Sequence, residues 1–344
     1  MFDVLLHQVA SPERIEISIF AILMVVLVGM ISGPSGGNAN PFLWFILDKI
    51  CGGLIKKTYN VDRSVESLKF RGSILLIFYL VITGILAALA VLVEMHFPLK
   101  GFAAPILLAL TLSGGATWSS LIKLHQALSG KSSKSKGSYY QIAVSTRSNL
   151  NTTDDHGIIR IGIGFVATNL DKGFVAPLFW FLIGGLPAAY IYTGIVAARW
   201  SLSKDGFAKG IGHLALNLES IFGVIPQILT TILIAAAALL TPTAGMTRAV
   251  AGLFSKTGTA NYAEGGFPLT ALAWALGLSL GGPVEDIHGS VLKRDWVGPA
   301  TSTARLDKGH LRHAIYLSIM AYILVGACLI GGLVLWKAQA ASLL

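Results

Sequence analysis

A run of twenty uncharged, mostly apolar residues, Ile74–Val93, restricts the chain to folds that bury an apolar helix or pass it through a membrane. A bilayer interior is crossed by about 20 apolar residues in a helix, which pairs all of its own backbone polar groups. Composition agrees, because only 12% of the 344 residues are charged, whereas soluble domains carry roughly 25%. The chain is therefore predicted to be an all-α, polytopic integral membrane helical bundle and not a soluble enzyme.

Further apolar runs bring the predicted number of spans to about six, in a single domain over residues 1–344. The run Phe174–Ala197 contains Pro177, Gly184-Gly185 and Pro187, so we predict a kinked span, with a re-entrant helix as the alternative. The shorter run Pro268–Leu280 is predicted to be a re-entrant or buried helix. The spans are predicted at Ile17–Ile31, Ile74–Val93, Ala103–Leu121, Phe174–Ala197, Phe222–Leu240 and Ile315–Trp336.

Lysine and arginine are unevenly distributed between these spans. With six spans, loops 34–71, 122–173 and 241–314 share one side and hold 20 of the 26 basic residues. Because basic loops stay in the cytoplasm, these loops are predicted to be cytoplasmic in a bacterial inner membrane, with both termini and loop 198–221 outside. Basic residues facing anionic lipid then explain the net charge of +9, so membrane lipids and no nucleic acid are the expected partners.

Two of these loops contain candidate binding residues. In loop 122–173, Arg147, Arg160 and Lys172 surround a short apolar segment, which indicates either an anion site for a phosphorylated substrate or a basic linker to lipid headgroups. In loop 241–314, Glu285-Asp286 is a candidate to hold magnesium with a bound phosphate, although a turn with solvated acids is the more frequent arrangement. His310 and His313 lie one helical turn apart, and we predict a solvated start of the last span there.

Three blocks of residues occur in the order and at the separations of a known family. They are Asn169–Trp180 continued by Gly184-Gly185-Leu186-Pro187 to Tyr192, the segment from Gly266 to Gly298, and Arg147-x-x-Leu150 followed by Gly157-Ile158-Ile159-Arg160. These blocks resemble the CobD/CbiB family, the adenosylcobinamide-phosphate synthases of cobalamin biosynthesis. Weaker similarity extends from Gly33-Pro34 to the last span, so the resemblance covers nearly the whole chain.

The resemblance implies an ATP-dependent amide ligation that joins aminopropanol, or its phosphate, to a carboxylate of adenosylcobyric acid. It also implies ATP and magnesium as cofactors, a corrinoid as substrate, and other proteins of the cobalamin pathway as partners. No catalytic residue and no metal ligand is assigned. The residues expected to bind substrate are Arg147, Asn169, Asp171, Lys172, Glu264, Gly281, Gly282, Pro283 and Glu285.

The chain departs from the family pattern mainly at acids and amides, the groups that would hold a metal or orient an amine. We therefore expect the fold to persist while the chemistry is altered or lost. Three functions stay open: a ligase with a remodelled site, a catalytically silent membrane scaffold or regulator similar to AmpE-type signalling proteins, and a small-molecule transporter. The departing positions read Gly33, Asn40, Ser148, Gly164, Thr168, Val196–Arg199, Tyr262-Ala263-Glu264 and Ser220.

Overall fold

The computed structural model describes residues 11–60, 63–97, 101–130, 135–202, 210–285 and 291–342, without the side chains of 135–138. It is predominantly helical, which confirms the predicted fold class. The helices are α1 (Pro12–Ser32), α2 (Phe42–Thr58), α3 (Val65–His96), α4 (Ala103–Ala109), α5 (Gly115–Leu128), α6 (Ser135–Thr146), α7 (Asp155–Leu170), α8 (Ala176–Leu202), α9 (His213–Leu239), α10 (Met246–Leu253), α11 (Gly266–Leu276) and α12 (Lys308–Ala341).

Five helical segments of the described chain are long and apolar enough to cross a membrane: α1, α3, α9, α12 and the continuous segment Asp155–Leu202. The chain is therefore a multi-pass membrane protein. Local sequence sets the helix starts. The Ser64 hydroxyl accepts a hydrogen bond from the Ser67 amide at the start of α3, and Asp307 forms a capping box with His310 at the start of α12, so His310 satisfies backbone at that helix end.

The long helices define two ends of the bundle. Helices α1 and α12 run antiparallel, because Glu16 near the start of α1 pairs with Lys337 near the end of α12 at 2.8 Å. Helix α3 ends at the same place, since Glu94 lies within electrostatic range of Glu13. We call this end the far end, and the end where α1 stops and α3 and α12 begin the loop end.

The prediction that Ala103–Leu121 forms one continuous span is wrong. The segment is divided into α4 and α5 by an irregular stretch, in which the Ser113 amide donates to the Gly173 carbonyl at 2.7 Å and Tyr322 donates to the Ser113 carbonyl at 2.7 Å. Protein partners thus satisfy backbone that lipid could not. Directly after the break α5 packs closely on α1, because a Cβ on Gly115 would lie 2.0 Å from the Val26 carbonyl oxygen.

The predicted fourth span is a helical hairpin and not a kinked helix. If straight, the 48 residues of Asp155–Leu202 would extend for about 72 Å. Instead the chain reverses at Gly185, whose φ of +67° and ψ of −161° belong to a region that is essentially restricted to glycine. Trp180 and Tyr192, on opposite sides of this turn, stack with ring centroids 6.4 Å apart.

The hairpin turn lies at the far end. There Arg14 of α1 donates to the carbonyls of Leu182 and Ile183 at 3.1 and 2.8 Å, which satisfies the backbone that the turn leaves free. The second leg then returns to the loop end, where Ser201 donates to Asp48 of α2 at 3.0 Å. This geometry corrects the prediction that segment 198–221 starts on the side opposite the three basic loops.

Helix α9 confirms the predicted apolar helix at Phe222–Leu240 but does not simply join the two ends. The Ile211 carbonyl before it packs directly against Gly72, near the start of α3. After it, the Thr243 hydroxyl lies 3.3 Å from Nδ1 of His313, near the start of α12. Both flanks of α9 therefore lie beside helices that begin at the loop end.

The remaining short elements also gather at the loop end. Helix α2 buries one face, with Leu47 and Cys51 fully inaccessible, and α11 is the short buried helix predicted at Pro268–Leu280. Four two-residue antiparallel strands follow α11, with Leu280 opposite Val297 and Val284 opposite Leu292. The strands are β1 (Leu280–Gly281), β2 (Val284–Glu285), β3 (Val291–Leu292) and β4 (Trp296–Val297).

Candidate functional site

A cavity of about 470 Å³ opens at the loop end, between the end of α6, the legs of the hairpin and the strand region. Its walls are unusually rich in positive charge. Glu264 is the one carboxylate residue among the described residues that line it. The cationic lining residues are Arg147, Arg160, Lys172, Arg199, Lys293 and Arg294.

Arg147 is held in a strained and heavily supported position. Its φ of +52° is uncommon for a residue other than glycine, and such strain concentrates at functional sites. The guanidinium contacts Asp48 at 2.7 Å and lies over the Trp200 ring at 4.0 Å. Burial lowers the pKa of Arg147, while the Asp48 carboxylate opposes that shift. Asp48 and Trp200 therefore hold Arg147 in place as a cation in the cavity wall.

Lys172 and Arg199 share a single buried carboxylate. Glu219 of α9, which is fully buried, accepts from the Lys172 ammonium, and its Oε1 lies 3.3 Å from an Arg199 guanidinium nitrogen. Arg199 also donates to the Ala263 carbonyl, and Tyr262 donates to the Glu219 backbone carbonyl at 2.9 Å. This triad links both hairpin legs to α9 and closes the base of the cavity.

The side chains of Asn169 and Asp171 lie in different surroundings, although the two residues are only two positions apart. Asn169 lines the cavity, and its Oδ1 accepts from Ser113 at 2.6 Å and from Thr117 at 2.9 Å. Asp171 is turned away from the cavity and accepts from Thr230 of α9 at 3.1 Å. The π-helical turn Asp171–Val175 begins here and changes the direction of side chains along the first leg.

The strand region forms the outer wall. Gly281 lines the cavity, and Gly281 and Gly282 adopt φ values of +73° and +71°, which glycine accommodates without strain. Glu285 lies outside the cavity and accepts from Asn149 at 2.9 Å and from the Thr152 hydroxyl. Its carboxylate therefore fastens the loop before α7 to β2, and Asp286, its predicted partner for magnesium, is outside the described residues.

The structure brings together only part of the predicted set. Five of its members line the cavity: Arg147, Asn169, Lys172, Glu264 and Gly281. Four others do not: Asp171, Gly282, Pro283 and Glu285. Sequence reasoning left Arg199, Lys293 and Arg294 out of the site, and Glu219 as well. Arg199 was missed because a single crossing placed it on the opposite side. Lys293 and Arg294 were overlooked, although their adjacency in the sequence was a signal that could have identified them.

Fold and cavity together define a multi-pass helical membrane protein with a basic cavity at one end. A family model described as CobD/Cbib protein matches residues 39–318, and the chain belongs to that family.

Curated relatives carry the name Cobalamin biosynthesis protein CobD. The Brucella melitensis protein is 31% identical over 186 residues, which cover 52% of this chain and 56% of the relative. The Citrobacter koseri protein is 26% identical over 293 residues, 82% of this chain and 87% of the relative. The chain thus spans about half the length of the Brucella relative it matches. No solved structure matches.

Proposed function

We propose that this protein acts in cobalamin biosynthesis and uses ATP to join aminopropanol, or its phosphate, to a carboxylate of adenosylcobyric acid. The observation that carries the proposal is the convergence of six cations on one cavity with a single lining carboxylate among the described residues. ATP and aminopropanol phosphate are both phosphorylated, and arginine forks match phosphate oxygens. The names of the relatives support the pathway.

The cavity residues also fit nucleotide phosphates. Arg147, Arg160 and Glu264 each keep a buried polar side-chain atom without a hydrogen-bond partner, which is costly unless a ligand completes it. Arg147 and Arg160 would hold phosphate, and Glu264 would hold magnesium, which commonly binds through one or two carboxylates together with phosphates. ATP supplies the group that activates the carboxylate for attack by the amine.

The volume of the cavity suits a small molecule rather than a whole corrinoid, since typical ligand pockets measure about 300–1,000 Å³. We place the phosphorylated reactants inside and the corrinoid carboxylate at the opening. Lys172 and Arg199 would act mainly through Glu219, because their charges are already paired. They would hold the two legs of the hairpin against α9 beside the cavity.

We further propose that the loop end faces the cytoplasm of a bacterial cell, where ATP is available, and that the protein lies in the inner membrane. Among the described residues, Arg14 and Lys337 are the arginine and lysine at the far end, and the cavity cations lie at the loop end. This distribution supports a cytoplasmic loop end. Anionic lipid headgroups are the expected partners of its exposed lysines.

The test is a direct assay of the reaction. Purified protein is incubated with ATP, magnesium, adenosylcobyric acid and aminopropanol phosphate, and the amide product is followed by mass spectrometry. We expect ATP-dependent product, and Arg147→Gln should reduce it at least tenfold, because a charged hydrogen bond contributes about 1.5–3 kcal/mol. A purified, folded protein that forms no amide would rule out the ligase.

A second candidate is a catalytically silent relative that acts as a membrane scaffold or regulator. This candidate is favoured because three acidic side chains near the cavity already have protein partners. Glu219 pairs with two cations, Asp171 accepts a hydrogen bond from Thr230, and Glu285 accepts one from Asn149. A silent protein would not rescue a strain that lacks its family synthase but would co-purify with a partner protein. Rescue by the wild-type gene, lost in Arg147→Gln, would favour the enzyme.

A further inference from the structure

The six cations of the cavity fall into two groups by their ion pairs. Arg147, Lys172 and Arg199 are paired with Asp48 or Glu219. Among the described residues, no carboxylate lies within ion-pair distance of Arg160, Lys293 or Arg294. The positive charge available to a ligand is therefore concentrated on one wall of the cavity.

We propose that Arg160, Lys293 and Arg294 form a subsite for a phosphoryl or pyrophosphoryl group. This inference rests on the proposed function, which makes the cavity the substrate site. Within that cavity, these three residues would receive the anion. They differ from Lys172 and Arg199, whose carboxylate partner is internal. Asp154 interacts with Arg160 and Glu264 with Arg294, but both of these described carboxylates lie beyond ion-pair distance.

The three side chains come from two structural elements that are in contact. Arg160 lies on α7, one turn after the helix begins, and Lys293 and Arg294 lie between β3 and β4. The guanidinium of Arg160 lies over the Trp296 ring of β4 at 4.8 Å, which ties the two elements together. Both arginines are half-buried, whereas Lys293 is exposed, so the group runs from the interior of the cavity towards solvent.

The burial of Arg160 and Arg294 favours the binding of an anion beside them. A guanidinium that is removed from water loses solvation, which an anion bound beside it can replace. The Nε of Arg160 is buried and without a hydrogen-bond partner, and burial lowers the pKa of Arg294. A phosphate, with two negative charges and several acceptor oxygens, can satisfy two arginines and a lysine at once, which a single carboxylate cannot.

Glu264 is the internal competitor of such a ligand. Its carboxylate interacts electrostatically with Arg294, although it lies beyond ion-pair distance, and burial raises the pKa of Glu264. A bound phosphate would share the cavity with this negative charge. In the absence of magnesium, replacing Glu264 by glutamine should therefore strengthen the binding of a free anion.

The experiment measures pyrophosphate binding to the full chain in detergent by calorimetry, with EDTA present to exclude magnesium. We expect the dissociation constant to rise roughly tenfold or more in each of Arg160→Gln, Lys293→Gln and Arg294→Gln, as for loss of a charged hydrogen bond. Glu264→Gln should lower it several-fold. Arg160→Lys, which keeps the charge but not the fork, should fall between wild type and Arg160→Gln.

Arg305→Gln is the matched control, because Arg305 is exposed at the same end and does not line the cavity. Its pyrophosphate affinity should stay within about twofold of wild type. The proposal is overturned if the three cavity variants bind as wild type does, or if Arg305→Gln weakens binding equally. Each variant is compared by its melting temperature, and Glu264→Gln tests the charge argument by a gain that misfolding cannot produce.

The same variants distinguish this proposal from the ligase. Pyrophosphate binding that follows the predicted order in a protein that makes no amide supports the subsite and removes the ligase. Amide synthesis with unchanged KM values for ATP and aminopropanol phosphate in all three cavity variants supports the ligase and removes the subsite.

Discussion

At the residue scale, burial decides what each charge in this protein contributes. Glu219 has no exposed surface and is shared by Lys172 and Arg199, which come from the two legs of the hairpin. Glu16 also pairs with a lysine, Lys337, but its side chain is 45% exposed. Water already solvates the exposed Glu16–Lys337 pair, so its formation changes stability little, whereas the Glu219 carboxylate is shielded from water and depends on its protein partners.

Glu219→Gln is therefore expected to destabilise the protein by about 3–5 kcal/mol, because it removes the buried carboxylate that Lys172 and Arg199 share. Glu16→Gln, the same chemical change at the far end, should cost about 0–1 kcal/mol. The comparison is made by thermal unfolding in detergent. Equal melting temperatures for the two variants would contradict the buried triad.

At the element scale, glycine permits two departures from regular helix that shape the cavity. Gly115 allows α5 to lie against the backbone of α1, and Gly185 allows the long apolar segment to reverse. The reversal has the larger consequence, because it returns Arg199 to the end that carries Arg147. A helix that continued straight would place these two cations on opposite sides of the membrane.

Gly185→Ala should destabilise the protein by about 1–3 kcal/mol, since a side chain is strained at the φ and ψ of this turn. Gly84→Ala is the control, because Gly84 lies inside α3 with nothing within 4 Å of an added Cβ. There alanine should stabilise the helix by about 0.5–1 kcal/mol. Melting temperatures that move in opposite directions are the expected result, and a stabilised Gly185→Ala would contradict the hairpin.

At the scale of the whole molecule, the loop end collects segments that are far apart in sequence. Residues near Asp48, Arg147, Arg199 and Arg294 meet around one cavity, while the far end contains the hairpin turn and the end of α12. The asymmetry suits a membrane protein that performs its chemistry on one side. In this arrangement, the residues just before α9 lie on the same side of the membrane as the loop before α7.

Single cysteines test this arrangement in a background that carries Cys51→Ala and Cys328→Ala. His213→Cys and Asn151→Cys are exposed at the loop end, and Ser342→Cys is exposed at the far end. A membrane-impermeant maleimide should label the first two from one side of sealed vesicles and Ser342→Cys from the other. Labelling of His213→Cys together with Ser342→Cys would instead restore the predicted single crossing of segment 174–197.

Much of this architecture was predictable because it depends on local sequence. Long uncharged runs such as Ile74–Val93 predicted helices that cross a bilayer, and the short run after Gly266 predicted a buried helix. The predicted site was less complete: it contained Arg147 and Lys172 but not Arg199, whose place depends on the direction of the chain after Gly185. The same Gly-Gly-Leu-Pro residues are compatible with a kink or a reversal, so local preference alone could not choose.

By itself, therefore, the sequence determined that this protein is a helical membrane bundle with its basic residues concentrated in a few loops. Apolar length and charge act along the chain, and both can be read without knowledge of packing. Only the tertiary structure decided that the chain turns back at Gly185 and that Glu219 joins Lys172 to Arg199. It also decided that Arg160 and Arg294 line one cavity, with no carboxylate of the described residues within ion-pair distance of either. Those outcomes depend on which distant surfaces pack together, since burial and pairing are properties of contacts and not of neighbouring residues.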